Sequence, residues 1–563
     1  MDRTGGDLLL DILEAQGIEQ IFSSPGTEWA PVWEGLAKRF QKGKTALKYT
    51  NCRHESLAVS MAQGYAETSG RMAAVLLHSG VGVLNGSLAV RNAYFARTPM
   101  LIISGETYQH STEEGIKPQG WHWLGLLSDM GGPTAMVNSY VKWANTIRNR
   151  ERMVDLVVRG CRIAQSPVPG PVFLTISPEL LAKEVTKNVI TPPASYDIAY
   201  QLSPDGMKEA AALLINSLKP IIITEYAGKN PQSVPALVAL AESLNIPVFE
   251  FFPFFGNFPK NHPLYQGYDF SSYLQEADVV FIAGSTLPWY PPSACLRENV
   301  KVILLDEDTL HRHIPQWGYH IDLALTGNIR DGLQYITSLI QASPVNKTVL
   351  IERLEYWRTQ HKQTMDGWET ETQSVKNKRP ISARWFLHKI KEIMPPHTLI
   401  VDETIIHVRL MHRYLGHPDS FIRATYGGLG VGMGEAIGVK IAYPERPVAL
   451  IIGDGAFNYN PALAALGLCQ EYRLPLLTII VNNGGYMAMK TGHNALYPGG
   501  AAAASGHYFG VDITPAPDYV GIARAFGAHA EKLENPQDID SVLKRAFLAI
   551  ENGQPALLDV VMD

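Results

Sequence analysis

Short, almost wholly apolar runs alternate with stretches of helical spacing along the whole chain. In the first third, AAVLLHSGVGVLNG (73–86) reads as a buried strand running into a glycine-rich turn. MLIISGE (100–106) and PVFLTIS (171–177) read as further strands buried on both faces. Residues 7–16 set Leu8, Leu9, Ile12 and Leu13 at helical spacing, and 56–68 form a second helix ending near Ser69-Gly70. IFSSPGTEW (21–29) is a strand entering a Pro-Gly turn, and ALKYTNCRHE puts Glu55 at a strand-to-helix junction. PIIITE (220–225), DVVFIAGS (278–285) and VKVILLDED (300–308) are the strands of the middle third. The last third carries TLIVDE (398–403), VALII (448–452) and LLTIIV (476–481). Repeated βα units of this kind predict an α/β protein built on doubly wound parallel sheets.

Two breaks in the pattern divide the chain. A Pro-rich, irregular stretch lies at 189–200, and a polar segment lies at 360–380. Three α/β domains follow, at 1–188, 189–345 and 346–563. No short tandem repeat or low-complexity segment is visible. The first and third domains could share an architecture, which local pattern does not establish.

Bulk properties narrow the function. The 563 residues exceed one ordinary core. A net charge of −6 with 48 Lys and Arg gives no nucleic-acid footprint. The cysteines Cys52, Cys161, Cys295 and Cys469 are far apart, so no zinc site or disulfide framework is indicated, and a reducing, cytoplasmic setting is expected. The acidic, amphipathic N-terminus is not a signal peptide, and no apolar run has the length of a membrane span.

The informative stretch runs GDGAFNYNPALAALGLCQEYRLPLLTIIVNNGG (453–485). The first strand breaks at Gly453-Asp454-Gly455, where glycines allow a tight turn and close backbone approach to a ligand. A helix follows at about 461–472, and the second strand ends in Asn482-Asn483-Gly484-Gly485. A carboxylate and two amides thus meet at the carboxyl edge of one sheet, where open α/β sheets bind ligands. Oxygen donors beside a helix N-terminus suit Mg²⁺ carrying a diphosphate. Asp454, Asn483 and the Gly485 carbonyl are the expected metal ligands. The plain alternative is a helix-capping aspartate in a generic strand–turn–helix–strand unit.

GDG, 26 residues, then NN resembles the signature of thiamine-diphosphate enzymes. RHESLAVSMAQGYAETSGR (53–71) is similar to the segment that carries the activating glutamate of their decarboxylases and carboligases, which places that role on Glu55. Alone, Glu55 would read as a first-turn carboxylate stabilised by the helix dipole. YGGLGVGMGEAIGVKIAYPERPVALIIGDG (426–455) resembles the family's ring-binding loop. By position, the Gly427 carbonyl would bind the cofactor's amino group and Leu429 would wedge between its rings, unless Leu429 is simply core. The resemblance also sets Gly453, Gly455, Ala456 and Met487 against the cofactor. It covers essentially the whole chain and implies pyrimidine-binding, central and diphosphate-binding domains. It further implies a homodimer or homotetramer, with Glu55 of one subunit serving cofactor held by its neighbour.

Within the family, LLHSGVGVLNG (76–86) and PGTEW (25–29) look like benzoylformate decarboxylase. His78 then faces the substrate as a proton-transfer group, and Thr27 keeps the hydroxyl of a serine that contacts the substrate carboxylate. The plain alternative for each is a turn residue. Arg423 departs from that subgroup, where an aromatic residue stands. It is either a surface arginine or, pointing inward, a receptor for a second anionic group. Trp289 and Tyr290 in LPWYPP, together with Met489, are further pocket candidates. Met487 and Met489 could also only fill space. The pair Trp121 and Trp123 would line a channel or pack between domains.

EYAGKNPQS (225–233) does not match a glycine-rich flavin loop, which argues against FAD. The expected reaction is ThDP- and Mg²⁺-dependent decarboxylation of a 2-oxo acid, with or without carboligation to an aldehyde or ketone. An acetolactate-synthase-like carboligase and a 2-hydroxyacyl-CoA lyase are the alternatives. A dinucleotide-dependent oxidoreductase lacks its fingerprint loop. A non-catalytic relative would be expected to lose Glu55 or the metal ligands, and all are present.

Overall fold

The computed structural model describes residues 3–43, 47–106, 131–185, 202–294 and 296–563. The Trp121–Trp123 segment, the irregular stretch at 189–200, the boundary expected at 188/189 and Cys295 lie outside them. The chain forms three parallel sheets flanked by helices.

The first sheet contains β1 (Gln20–Ser24), β2 (Lys48–Asn51), β3 (Ala73–Leu77), β4 (Met100–Gly105), β5 (Trp143–Ile147) and β6 (Pro171–Ile176). Their order is β2-β1-β3-β4-β6-β5. The middle sheet contains β7 (Pro220–Thr224), β8 (Val248–Glu250), β9 (Val279–Ala283), β10 (Lys301–Asp306) and β11 (Leu323–Thr326), ordered β11-β10-β9-β7-β8. The third contains β12 (Leu399–Glu403), β13 (Phe421–Arg423), β14 (Val448–Gly453), β15 (Leu477–Asn482), β16 (His529–Leu533) and β17 (Ala556–Val561), ordered β13-β12-β14-β15-β17-β16. The first and third sheets therefore share one strand order, 2-1-3-4-6-5, a kinship that local pattern left open. In each sheet the order reverses between the first and third strands. Ligands of open α/β sheets bind at such switch points, outside the carboxyl ends.

The outer sheets are joined through two helices, Glu55–Ser69 and Gly432–Ala442. Residues 56–66 of the first are all buried. A Cβ at Gly64 would collide with the Glu435 carbonyl, and one at Gly438 with the Met61 carbonyl. Glycine on each side lets the backbones touch, so the two sheets share one hydrophobic core.

Two sequence expectations need correction. The glycine-rich 80–86 stretch is a turn only at its start, because a helix runs from Val81 to Phe95. The polar 360–380 segment lies mostly within a 28-residue helix, Lys347–Ser374. Its Trp357 is buried in the core of the middle sheet, with Met365 and Trp368 packed alongside. Among the described residues no helix is long and apolar enough to cross a membrane.

Candidate active site

At the third sheet's switch point, β14 ends in Gly453 and Asp454 opens the helix Asp454–Tyr459. Asp454 is 2% exposed. Its Oδ1 accepts from the Gly455 N–H (2.8 Å) and its Oδ2 from the Gly485 N–H (3.1 Å), which ties the two halves of the motif together. Burial pushes its carboxyl above the usual range. A bound cation would reverse that effect. The paired asparagines separate in role. Asn482 turns into the sheet, where its Nδ2 donates to Asp559 Oδ1 (2.8 Å). Asn483 stays partly exposed, and its Oδ1 takes the Gly485 N–H at 3.3 Å.

Among the described residues no group of three or more His, Cys, Asp or Glu side chains could hold a metal ion. One carboxylate, one amide oxygen and one carbonyl form a different donor set. It fits a hard cation that takes its remaining ligands from a diphosphate. A Cβ at Gly453 would meet nothing within 4 Å, so the open side of the strand end faces this crevice. Gly455 is packed instead, since its Cβ would lie 2.6 Å from the Tyr486 ring. Ala456 is buried, and Met487 opens the helix Met487–Leu496 with Met489 exposed.

Beside this crevice runs the loop 424–431. Gly427 (φ +96°) and Gly430 (φ +105°) adopt left-handed backbone that L side chains rarely reach. A Cβ on Gly430 would sit 2.6 Å from the Tyr459 carbonyl. Glu403, at the end of β12, fixes the loop. Its Oε1 accepts from the N–H groups of Gly430 (2.7 Å) and Val431 (3.0 Å). Its Oε2 accepts from Gly432 N–H (3.0 Å) and Asn460 Nδ2 (2.8 Å). Burial pushes the Glu403 carboxyl up to about 7, while these donors pull it down. Leu429 is partly buried against the shared core, and the preceding Gly428 abuts Leu88.

Glu55 opens its helix after His54, whose imidazole caps Ser56 N–H (3.2 Å). Asn85 Nδ2 donates to Glu55 Oε2 at 2.5 Å. Gly82 lies between Glu55 and His78: a Cβ there would be 2.9 Å from His78 Cβ and 3.3 Å from Glu55 Cγ. The glycines that read as a turn thus clear one face of a helix for the Glu55 side chain.

At the first sheet's switch point, Thr27 begins a short 3₁₀ turn after β1, and His78 follows β3. Glu28, 1% exposed, links them. Its Oε1 lies 2.8 Å from His78 Nδ1 and accepts from Ser79 N–H at 3.0 Å. Gly26 is obligatory, because a Cβ would collide with the imidazole. Sequence reasoning missed Glu28, Asn85 and Glu403. Asn85 and Glu403 each end an apolar run, a local signal of a strand or turn end, whereas Glu28 carries no such signal.

The remaining candidates divide. Trp289 is 2% exposed within the middle core, its indole N–H directed to the Pro292 carbonyl, so it does not face a pocket. Tyr290 is 72% exposed. Arg423 is 4% exposed, which overturns the surface reading.

Residues 3–124 match the model described as thiamine pyrophosphate enzyme, N-terminal TPP binding domain. Residues 207–336 match the central domain of the same enzymes, and residues 406–560 their C-terminal TPP binding domain. The chain is 23% identical to acetolactate synthase isozyme 3 large subunit of Escherichia coli, over 100% of this chain and 95% of that protein. It is 24% identical to sulfoacetaldehyde acetyltransferase of Rhodobacter capsulatus, over 100% and 95% respectively. Benzoylformate decarboxylase from Polynucleobacter necessarius shares the fold, with a TM-score of 0.78 at 20% identity over 100% of this chain and 98% of that one. Three domains in family order, spanning both ends of the chain, make this protein a member of the thiamine-diphosphate-dependent decarboxylase and carboligase family.

Proposed function

We propose that the protein is a ThDP- and Mg²⁺-dependent enzyme that breaks the bond between the carbonyl and carboxylate of a 2-oxo acid and protonates or transfers the remaining unit. The observation that carries this reading is the placing of Glu55 and His78 on either side of Gly82 in a chain whose other outer sheet presents Asp454, Asn483 and Gly485 at its switch point. When bound, thiamine diphosphate supplies a nucleophilic carbon and an electron sink for the pair left by the departing CO₂.

The chain's own groups do the rest. Asp454, Asn483 and the Gly485 carbonyl would hold a hard cation, which supplies positive charge for a diphosphate. Glu403 holds the loop that presents the Gly427 carbonyl and Leu429. Glu55 would share a proton with the pyrimidine ring through Oε1, since Asn85 already donates to its Oε2. Glu28 Oε1, 2.8 Å from His78 Nδ1, orients the imidazole for proton transfer. Thr27, in the turn that follows β1, would contact the substrate carboxylate through its hydroxyl.

A stripe of exposed Val81, Leu84 and Leu88 flanks Asn85. Apolar exposure beside a catalytic carboxylate supports a site completed by a second copy of the chain. The acetolactate synthase and sulfoacetaldehyde acetyltransferase relatives favour a second outcome at the same centre, delivery of the carbon unit to an acceptor.

At the middle sheet's switch point a charged pair meets one phenol hydroxyl. Arg97 Nη1 pairs with Asp306 Oδ1 (3.0 Å), and the Tyr226 hydroxyl donates to Asp306 Oδ2.

Denaturing the purified protein and identifying the released small molecules by mass tests the cofactor assignment: ThDP is expected, and flavin is not. Glu28→Ala is expected to lower turnover about 10- to 100-fold with ThDP affinity little changed, because His78 loses its orienting partner. Steady-state rates and ThDP titration check this. An unaltered rate would remove His78 from the proton-transfer role.

A further inference from the structure

Arg423 ends β13 and immediately precedes the loop that carries Leu429. It lies at the carboxyl edge of the third sheet, paired with Asp402 on β12. The middle domain closes over it. Phe254 takes the Arg423 N–H on its carbonyl (2.8 Å), and the guanidinium lies 4.2 Å from the Phe252 ring centre and 4.9 Å from that of Phe254. Phe254 in turn stacks on Tyr426 of the cofactor loop, with ring centres 4.1 Å apart. Glu225, at the middle sheet's switch point, anchors this arrangement. Its backbone carbonyl accepts from Phe254 N–H, and its carboxylate accepts from Ser285 Oγ and the N–H groups of Thr286 and Leu287.

A guanidinium flanked by aromatic rings can hydrogen-bond only through its edge. Here two of its three nitrogens lack a partner. Nε and Nη1 are buried and have no acceptor among the described residues. Asp402 and Glu225 act on the charge without hydrogen-bonding to it. Asp402 spends its Oδ1 on Thr404, and its Oδ2 has no partner. Buried charges in folded proteins are otherwise paired.

We infer that Arg423 is the receptor for a second carboxylate on the donor, so the substrate class is a dicarboxylic 2-oxo acid. This rests on the decarboxylation reading given above. A guanidinium held rigid between two rings, with donors still unpaired, is pre-oriented to receive a carboxylate.

The test compares kcat/KM for 2-oxoglutarate and 2-oxopentanoate, which differ only at the far end. The wild type is expected to favour the dicarboxylate by about tenfold or more. Arg423→Met should bring the ratio close to one, and Arg423→Lys should retain part of it. A wild-type preference for the neutral acid, or a dicarboxylate preference that survives Arg423→Met, overturns the inference. Calorimetry with the non-reacting probes glutarate and butyrate, on protein loaded with ThDP and Mg²⁺, separates the two claims. If neither donor is turned over yet glutarate binds in an Arg423-dependent way, the decarboxylation reading falls and the carboxylate site stands. If glutarate binds no better than butyrate, the carboxylate site falls.

Discussion

Glu55→Gln is expected to lower turnover by about two to four orders of magnitude while ThDP remains bound. The substitution preserves size and lets Asn85 still donate to a side-chain oxygen. It removes the one property the reaction needs from this residue, a carboxyl that can share a proton with the cofactor's pyrimidine ring. Affinity rests elsewhere, on the cation site and the Glu403-held loop, so dissociation of ThDP should change little. Such a rate loss corresponds to about 3–5 kcal/mol of barrier. The measurement is single-turnover CO₂ release normalised to bound ThDP. Wild-type rates in the variant would refute the role given to Glu55.

Asp454→Ala is expected to abolish metal-dependent retention of ThDP. It removes the only carboxylate from the proposed cation ligands, and a hard cation held by neutral oxygens alone binds weakly. It also strands the buried Gly455 N–H and leaves the Gly485 N–H only its longer bond to Asn483 Oδ1. Each unsatisfied buried donor costs about 1–3 kcal/mol, so the 484–486 segment should loosen as well. Asp454→Asn separates the effects, because it keeps an acceptor while losing the charge. Equilibrium dialysis with and without chelator reads the result. Tight ThDP binding that survives both the mutation and the chelator would show that Asp454 is not a metal ligand.

Much of this site was legible in the chain because its pieces are local. The VALII and LLTIIV runs read as buried strands, and each terminates in the residues that form the crevice. What stayed hidden depends on partners distant in sequence. Arg423 reads as polar and therefore as surface. It is buried because Phe252 and Phe254 of the middle domain cover it, and no local pattern reports that. Glu28 and Asn85 lie inside quoted motifs, but their roles appear only when β1, β3 and two helices bring them to His78 and Glu55.

Propensity misled at 80–86. Glycine disfavours helix, yet Gly82 and Gly86 sit in one, and a Cβ at Gly82 would crowd both His78 and Glu55. The 347–374 helix escaped because it is polar nearly all round, with few apolar positions such as Trp357 and Trp368 that dock on the middle sheet. β5, β13 and β16 are short or polar edge strands, whose identity comes from pairing more than from composition. The common strand order of the outer sheets is a property of topology and could not be read from either stretch alone.

The most direct measurement is CO₂ release from a panel of 2-oxo acids, running from pyruvate through branched, aromatic and dicarboxylic members. It is made with ThDP and Mg²⁺, with and without added aldehyde, and products are identified by mass. The account predicts that at least one donor releases CO₂ only when both cofactor and metal are present, and that Glu55→Gln suppresses it. Bound ThDP with no CO₂ from any donor would contradict it, and cleavage of a hydroxyacyl or hydroxyketone substrate would then be the reaction to pursue.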